Sequence, residues 1–175
     1  MLVDAKLMIN GKELKTQIEI DEVNLKSIEE KNEEKKKING YERWGMNNKY
    51  SYVNGKGEVR TESDIGLEED DLRFTIANYY SSSGVARNNA RADQLMRQLR
   101  RFAVENRKDK IDWNDEKKHK YNICYSYPIQ KIFVDFESNC RNFEIYFDSY
   151  EAAERAIEEF KDELIWYFTE YKDSL

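Results

Sequence analysis

Apolar residues recur at helical spacing in two long stretches of this chain, and both stretches leave their other faces to charge. The later one is the more regular. Ala153, Ile157, Phe160, Leu164 and Phe168 follow one another at intervals of 4, 3, 4 and 4, which stacks them on one face over about five turns. Asp148, with Glu151 three residues on, reads as a capping box at its start. Glu154, Glu158, Glu159, Asp162 and Glu163 occupy the other face. In the earlier stretch Val85, Ala92, Leu95, Met96, Leu99, Phe102 and Ala103 keep the same period behind a helix start at Ser81-Ser82-Ser83-Gly84. Helices are therefore expected over about 85–107 and 149–170.

An apolar helix face needs a cover, and most of the remaining chain reads as strand. Lys49-Tyr50-Ser51-Tyr52-Val53 and Glu58-Val59-Arg60 flank the turn signal Asn54-Gly55-Lys56-Gly57, which predicts a hairpin. Lys120–Tyr127, Gln130–Phe136 and Asn142–Phe147 are rich in aromatic and β-branched residues, and three strands are expected there. Leu72–Tyr80 is apolar enough to bury but too short for its periodicity to separate strand from helix. Glu62 to Asp71 reads as an exposed acidic loop. The fold class is α+β, with antiparallel strands and hairpins packed against two long helices.

Ahead of this lies a different kind of segment. Leu7-Met8-Ile9, Asn10-Gly11 and Lys12 to Ile20 form a strong hairpin signal, because Asn-Gly suits the positive φ angles of a type I′ turn. Residues 21–37 then run as a charged helix with only a thin apolar stripe, Leu25 and Ile28. We expect an N-terminal appendage at 1–40 and a main domain at 41–175. The thin stripe, together with Tyr50 and Tyr52, predicts a homodimer, since tyrosine suits surfaces that are partly apolar and partly wet.

Only 39% of the residues are hydrophobic, but 13% are aromatic, and large rings can build a core that aliphatic content alone would not. No apolar run approaches the ~20 residues of a membrane span, and the first residues do not resemble a signal peptide. Cys124 and Cys140 have no CxxC spacing and are expected as free thiols in a reducing compartment. A soluble, intracellular protein is expected.

Charge is segregated along the chain. The net charge is −6, yet 85–110 holds Arg87, Arg91, Arg97, Arg100, Arg101, Arg107, Lys108 and Lys110 against Asp93, Glu105 and Asp109. Such segregation points to docking. Arg87, Arg91, Arg97, Arg100 and Arg101 are candidate contacts for nucleic-acid phosphate or an acidic protein surface. The alternative is self-pairing with the acidic loop or the C-terminal helix. Glu68, Glu69, Asp70 and Asp71, with Glu158 and Glu159, are candidates of the opposite kind, a nucleic-acid mimic able to occupy a basic channel in a partner.

Catalytic patterns are weak. His119 is the only histidine and sits in the charged run Glu116–Lys120. Zinc would draw on three or four His and Cys, and this chain has three in all without ligand spacing. Asp112, Asp115, Asp135, Glu137 and Glu144 are acceptable Mg²⁺ ligands in type, but lack the spacing of a nuclease motif. No cofactor, no metal and no enzymatic activity are expected.

Several segments together resemble a loose family of small acidic proteins encoded by phages and prophages of Firmicutes and related gut bacteria. They are Trp44 with Lys49–Val53 and Gly57–Val59, Asp70–Tyr80, Asp112–Asp115, Tyr121–Tyr125, and Phe143–Phe147 leading into Ser149–Glu154. The likeness spans about 44 to 168. Ala77 stands where glycine is usual in such proteins, Ser81–Gly84 replaces an acidic helix start, and the N-terminal hairpin and charged helix are additions. Some phage proteins of this size and make-up are anti-CRISPR inhibitors. The resemblance implies a phage counter-defence protein in the host bacterial cytoplasm that binds a CRISPR nuclease of the Cas9 type or its guide-RNA complex. A nucleic-acid-binding accessory protein using the Arg-rich helix is the alternative.

Overall fold

The computed structural model describes residues 2–9, 12–19, 39–142 and 145–172. The chain divides into two compact units, 1–42 and 43–175. In the first, β1 (Leu2–Ile9) and β2 (Lys12–Glu19) pair antiparallel from Leu2↔Glu19 to Ile9↔Lys12. The expected Asn10-Gly11 turn and the charged helix over 21–37 lie outside the described residues.

The second unit is α+β. Its first hairpin joins β3 (Lys49–Val53) to β4 (Val59–Ser63), in register from Lys49↔Ser63 to Val53↔Val59. Asn54 organises the loop: its side-chain Oδ1 accepts from the backbone N–H groups of Lys56 (2.9 Å) and Glu58 (3.0 Å). Gly57 supplies the one left-handed residue there, φ 81°.

The ambiguous run 72–80 resolves by position. β4 ends at Ser63 and α1 occupies Glu68–Thr75, so the region read as an acidic loop is a strand end, a short connection and a helical turn. α1 stops in a Schellman motif: Ala77 N–H donates to Phe74 O (3.1 Å) and Asn78 N–H to Arg73 O (2.8 Å). The motif requires a left-handed residue, and Ala77 takes it at φ 56°, a conformation that glycine enters without Cβ strain. Ala77→Gly should therefore raise the unfolding free energy by about 1 kcal/mol. Urea denaturation would show this as a higher midpoint at an unchanged slope.

The turn delivers residues 78–80 to the free edge of β3. Asn78 bonds both Val53 N–H (2.8 Å) and Val53 O (2.9 Å) through its amide, and Ser51 and Tyr80 exchange backbone hydrogen bonds at 2.7 and 2.8 Å.

α2 (Ser83–Glu105) starts where the serines predicted, with Ser82 Oγ accepting from Val85 N–H. Leu95, Leu99, Phe102 and Ala103 bury against Phe147, Ala152, Ala153, Ala156 and Leu164. β5 (Lys120–Ser126) and β6 (Lys131–Glu137) pair antiparallel and pack Ile123, Ile132 and Val134 on the same core.

Two sequence expectations change here. Instead of a strand over 142–147, the described residues make one bridge, Tyr121↔Phe147. Tyr146 makes other contacts: its ring meets Trp113 edge-on at 4.8 Å, and its hydroxyl accepts from Asn142 N–H. The C-terminal helix, expected as one element, is α3 (Tyr150–Glu159), α4 (Lys161–Trp166) and a π-helical turn, Tyr167–Tyr171. The break falls at Phe160 (φ −109°, ψ 20°), whose ring packs edge-on against Phe102 at 5.8 Å. The apolar stripe survives it, and Leu164 is 2% exposed. The N-cap is Ser149, accepting from Ala152 N–H. Asp148 instead ties the end of α2 to this helix start by accepting from Lys108 N–H (2.7 Å) and Asp109 N–H (2.9 Å).

Candidate nucleic-acid interface

At about 100° per residue, the five α2 arginines do not share one face. Arg87, Arg97 and Arg101 fall within roughly 80° of one another and Arg91 lies on one flank, while Arg100 turns to the other side beside Asp93. All five are exposed. The Arg87–Arg101 row spans 15 residues, or about 21 Å of helix between its ends.

Their partners differ sharply. Arg91 is committed within the chain: Nε and Nη2 bond both carboxylate oxygens of Glu163 at 2.7 and 3.0 Å, and the guanidinium lies 3.9 Å from the Trp166 ring centroid. The bidentate pair raises the Arg91 pKa and lowers that of Glu163. This is the self-pairing that charge segregation allowed for, and it removes Arg91 from the free set. Arg101 reaches Glu105 only at 3.9 Å with both ends exposed, an arrangement that contributes little. Among the described residues, Arg87, Arg97 and Arg100 have no ion pair.

Beside the N-terminal half of this row lies an open groove of about 570 Å³, between Gly57, Val59 and Thr61 of the hairpin and Ser83, Arg87 and Gln94 of α2. Guanidiniums that are exposed, unpaired and ordered along a rigid helix can donate paired hydrogen bonds to phosphate or carboxylate.

The acidic candidates separate as well. Glu68, Glu69 and Asp71 are exposed in the first turn of α1, where negative charge opposes the positive end of the helix dipole. Asp71 accepts from Arg43 Nη1 at 2.5 Å. Asp70 does not belong with them, because it is only 3% exposed and no partner can reach it as a surface charge. Its Oδ1 accepts from Tyr50 OH (2.7 Å), and its Oδ2 from Leu67 N–H (3.0 Å) and Ile65 N–H (3.1 Å). Glu158 and Glu159 are exposed on α3, Glu158 in line with Glu151 and Glu154 and Glu159 turned off that line by about 100°, and have no ion pair among the described residues.

Asp70 belongs to a network that sequence reasoning missed. Asp64, 0% exposed, accepts from Arg43 Nε (2.8 Å) and Nη2 (3.2 Å), Gly66 N–H (3.1 Å) and Tyr79 OH (3.2 Å). Tyr50 and Tyr79 stack at 4.0 Å and 7°. Arg73 donates to the Tyr50 hydroxyl and to Glu62, and lies 3.7 Å from the Tyr52 ring centroid. Arg43 holds the Asp64 carboxyl below its usual range, and the Tyr50 hydroxyl does the same for Asp70. Burial pushes both tyrosines up to about 12, with their aspartate partners acting in the same direction.

A carboxyl depressed in the folded state contributes stability above its unfolded pKa and loses it as pH falls through the folded one. Unfolding free energy should thus stay level between about pH 5 and 9 and decline below about pH 4. Asp64→Asn should flatten that decline, and an unchanged profile of denaturation midpoint against pH would contradict the assignment.

Three of the carboxylates considered for Mg²⁺ accept from backbone N–H groups one or two residues on. Asp112 accepts from Asn114 N–H, Asp115 from Lys117 N–H and Asp135 from Phe136 N–H, while Glu144 lies outside the described residues. Among the described residues no group of three or more His, Cys, Asp or Glu is placed to hold a metal ion. His119 is exposed and stacks on Phe136 at 4.0 Å. Among the described residues, no helix is long and apolar enough to cross a membrane. Comparison with protein-family models, curated proteins and solved structures finds no match to this chain.

Proposed function

We propose that this chain is a non-catalytic binding protein that seats the Arg87–Arg97–Arg101 face of α2 on a phosphate-rich surface. One observation carries this reading. The chain has 35 Asp and Glu against 29 Lys and Arg, so internal neutralisation of the helix would be easy, yet among the described residues Arg91 is the α2 arginine with a close acidic partner. A row left unpaired in an acidic protein is suited to an external anion, and the surrounding negative charge restricts approach to that one face.

The resemblance to phage proteins gives the partner its setting: a CRISPR nuclease of the Cas9 type loaded with guide RNA, inhibited by occupancy. The exposed α3 row of Glu151, Glu154 and Glu158, with exposed Glu159 beside it, supports a second mode, in which carboxylates imitate phosphates in the nuclease's basic channel. A target-cleavage assay with purified nuclease and guide separates the two. Inhibition lost on reversing α2 charges supports the basic face, and inhibition lost on reversing α3 charges supports mimicry. Full cleavage at large molar excess of this protein would end the nuclease reading.

A further inference from the structure

A cavity of about 380 Å³ opens between α2, β5 and the π-helical turn, within the range of small-molecule sites, about 300–1,000 Å³. Its floor reaches the core at Leu99, Phe147 and Leu164, all of which are buried. Its wall is aromatic, and the π-helical turn forms it by placing Tyr167 and Phe168 side by side on the cavity. Such turns are rare inside helices and recur at functional sites. This one is fixed from outside: the Phe168 carbonyl accepts from Tyr127 OH at 3.0 Å, and Tyr125 stacks on the Phe168 ring at 5.6 Å and 12°.

Among the described lining residues, charge has one sign. Arg100, without an ion pair among the described residues, and Lys172, whose ammonium lies 5.6 and 5.8 Å from the Tyr167 and Phe168 ring centroids, are the charged residues of the described lining. No Asp or Glu contributes to the described lining. We propose that this cavity binds a small amphipathic anion, with the apolar body among Leu99, Phe147 and Phe168 and the anionic head between Arg100 and Lys172. Arg100 points away from the α2 row assigned to phosphate, so this site stands apart from the nucleic-acid reading.

Octanoate and octylammonium, which share a tail and differ in the sign of the head, test the proposal directly. Octanoate titrated into the ¹⁵N-labelled full chain should shift the amides of Arg100, Ile123, Leu164 and Phe168 saturably, while octylammonium should leave them in place. Arg100→Glu with Lys172→Glu alters two exposed side chains and should weaken octanoate by about tenfold or more at an unchanged melting temperature. Equal binding of octylammonium, shifts centred on the exposed apolar residues Trp44 to Ile76, or no saturable shift up to the solubility limit would each overturn it.

Discussion

Asp64→Ala should remove about 3 kcal/mol of unfolding free energy, a fall of roughly 10 °C in melting temperature for a domain of this size. The expectation rests on what the substitution leaves behind. Arg43, the Tyr79 hydroxyl and Gly66 N–H all direct donors at this carboxylate, and an alanine leaves the Tyr79 hydroxyl and Gly66 N–H without it and Arg43 with Asp71 alone. Arg43 is 28% exposed and can turn to water, which sets the effect below that of a deep pair. Tyr79 is 1% exposed and has no such recourse. Asp64→Asn retains part of the acceptor geometry and should fall between the two. Glu158→Ala, on the exposed side of α3, should stay within about 0.5 kcal/mol of the parent. Denaturant titration of the three variants checks the order, and an Asp64→Ala midpoint equal to the parent's would refute the network's role.

The second large effect concerns binding. Replacing Arg87, Arg97 and Arg101 together by glutamate should weaken association with nucleic acid or a guide-RNA complex by on the order of 100-fold or more, which corresponds to about 3 kcal/mol. Each reversal removes a charge-assisted donor and adds a repulsion against phosphate. None of the three side chains is buried and none makes a close ion pair within the described residues, so the fold should be unaffected. Arg91→Glu is the informative contrast. Its guanidinium holds Glu163 and lies on Trp166, so its replacement should register first as lost stability.

Where local pattern and tertiary contact agree, the sequence was legible. The stripe from Ala92 to Ala103 located α2 because those residues do face the core, and Asn54 to Gly57 located the β3–β4 turn because its backbone needs are local. The misreadings have long-range causes. Asp64 and Asp70 sit in a charged run, but the groups that bury them, Arg43, Tyr79 and Tyr50, lie 15 to 21 residues away in sequence. Tyr146 packs edge-on against Trp113, and no periodicity encodes that contact. The break at Phe160 was hidden because the stripe continues through it to Leu164. Ala77 takes a left-handed φ that no periodicity announces.

The candidate site was legible as composition but not as a face. Five arginines could be listed from the sequence, and helical geometry sorts them. Arg87, Arg97 and Arg101 form the outward row, Arg91 is held by Glu163, and Arg100 lines the aromatic cavity. Nothing local to Arg91 announces a partner 72 residues away.

Fluorescence anisotropy of labelled nucleic acid, duplex and single-stranded, at 50 and 200 mM salt tests the central claim most directly. Three phosphates neutralised by the α2 row give a log–log salt slope of about −2.7, or a roughly fortyfold loss of affinity for duplex across that interval. The account predicts this loss for the parent chain and its disappearance, together with the binding, in the triple glutamate variant. Absence of binding at 50 mM salt, or binding that the triple variant retains in full, would contradict it.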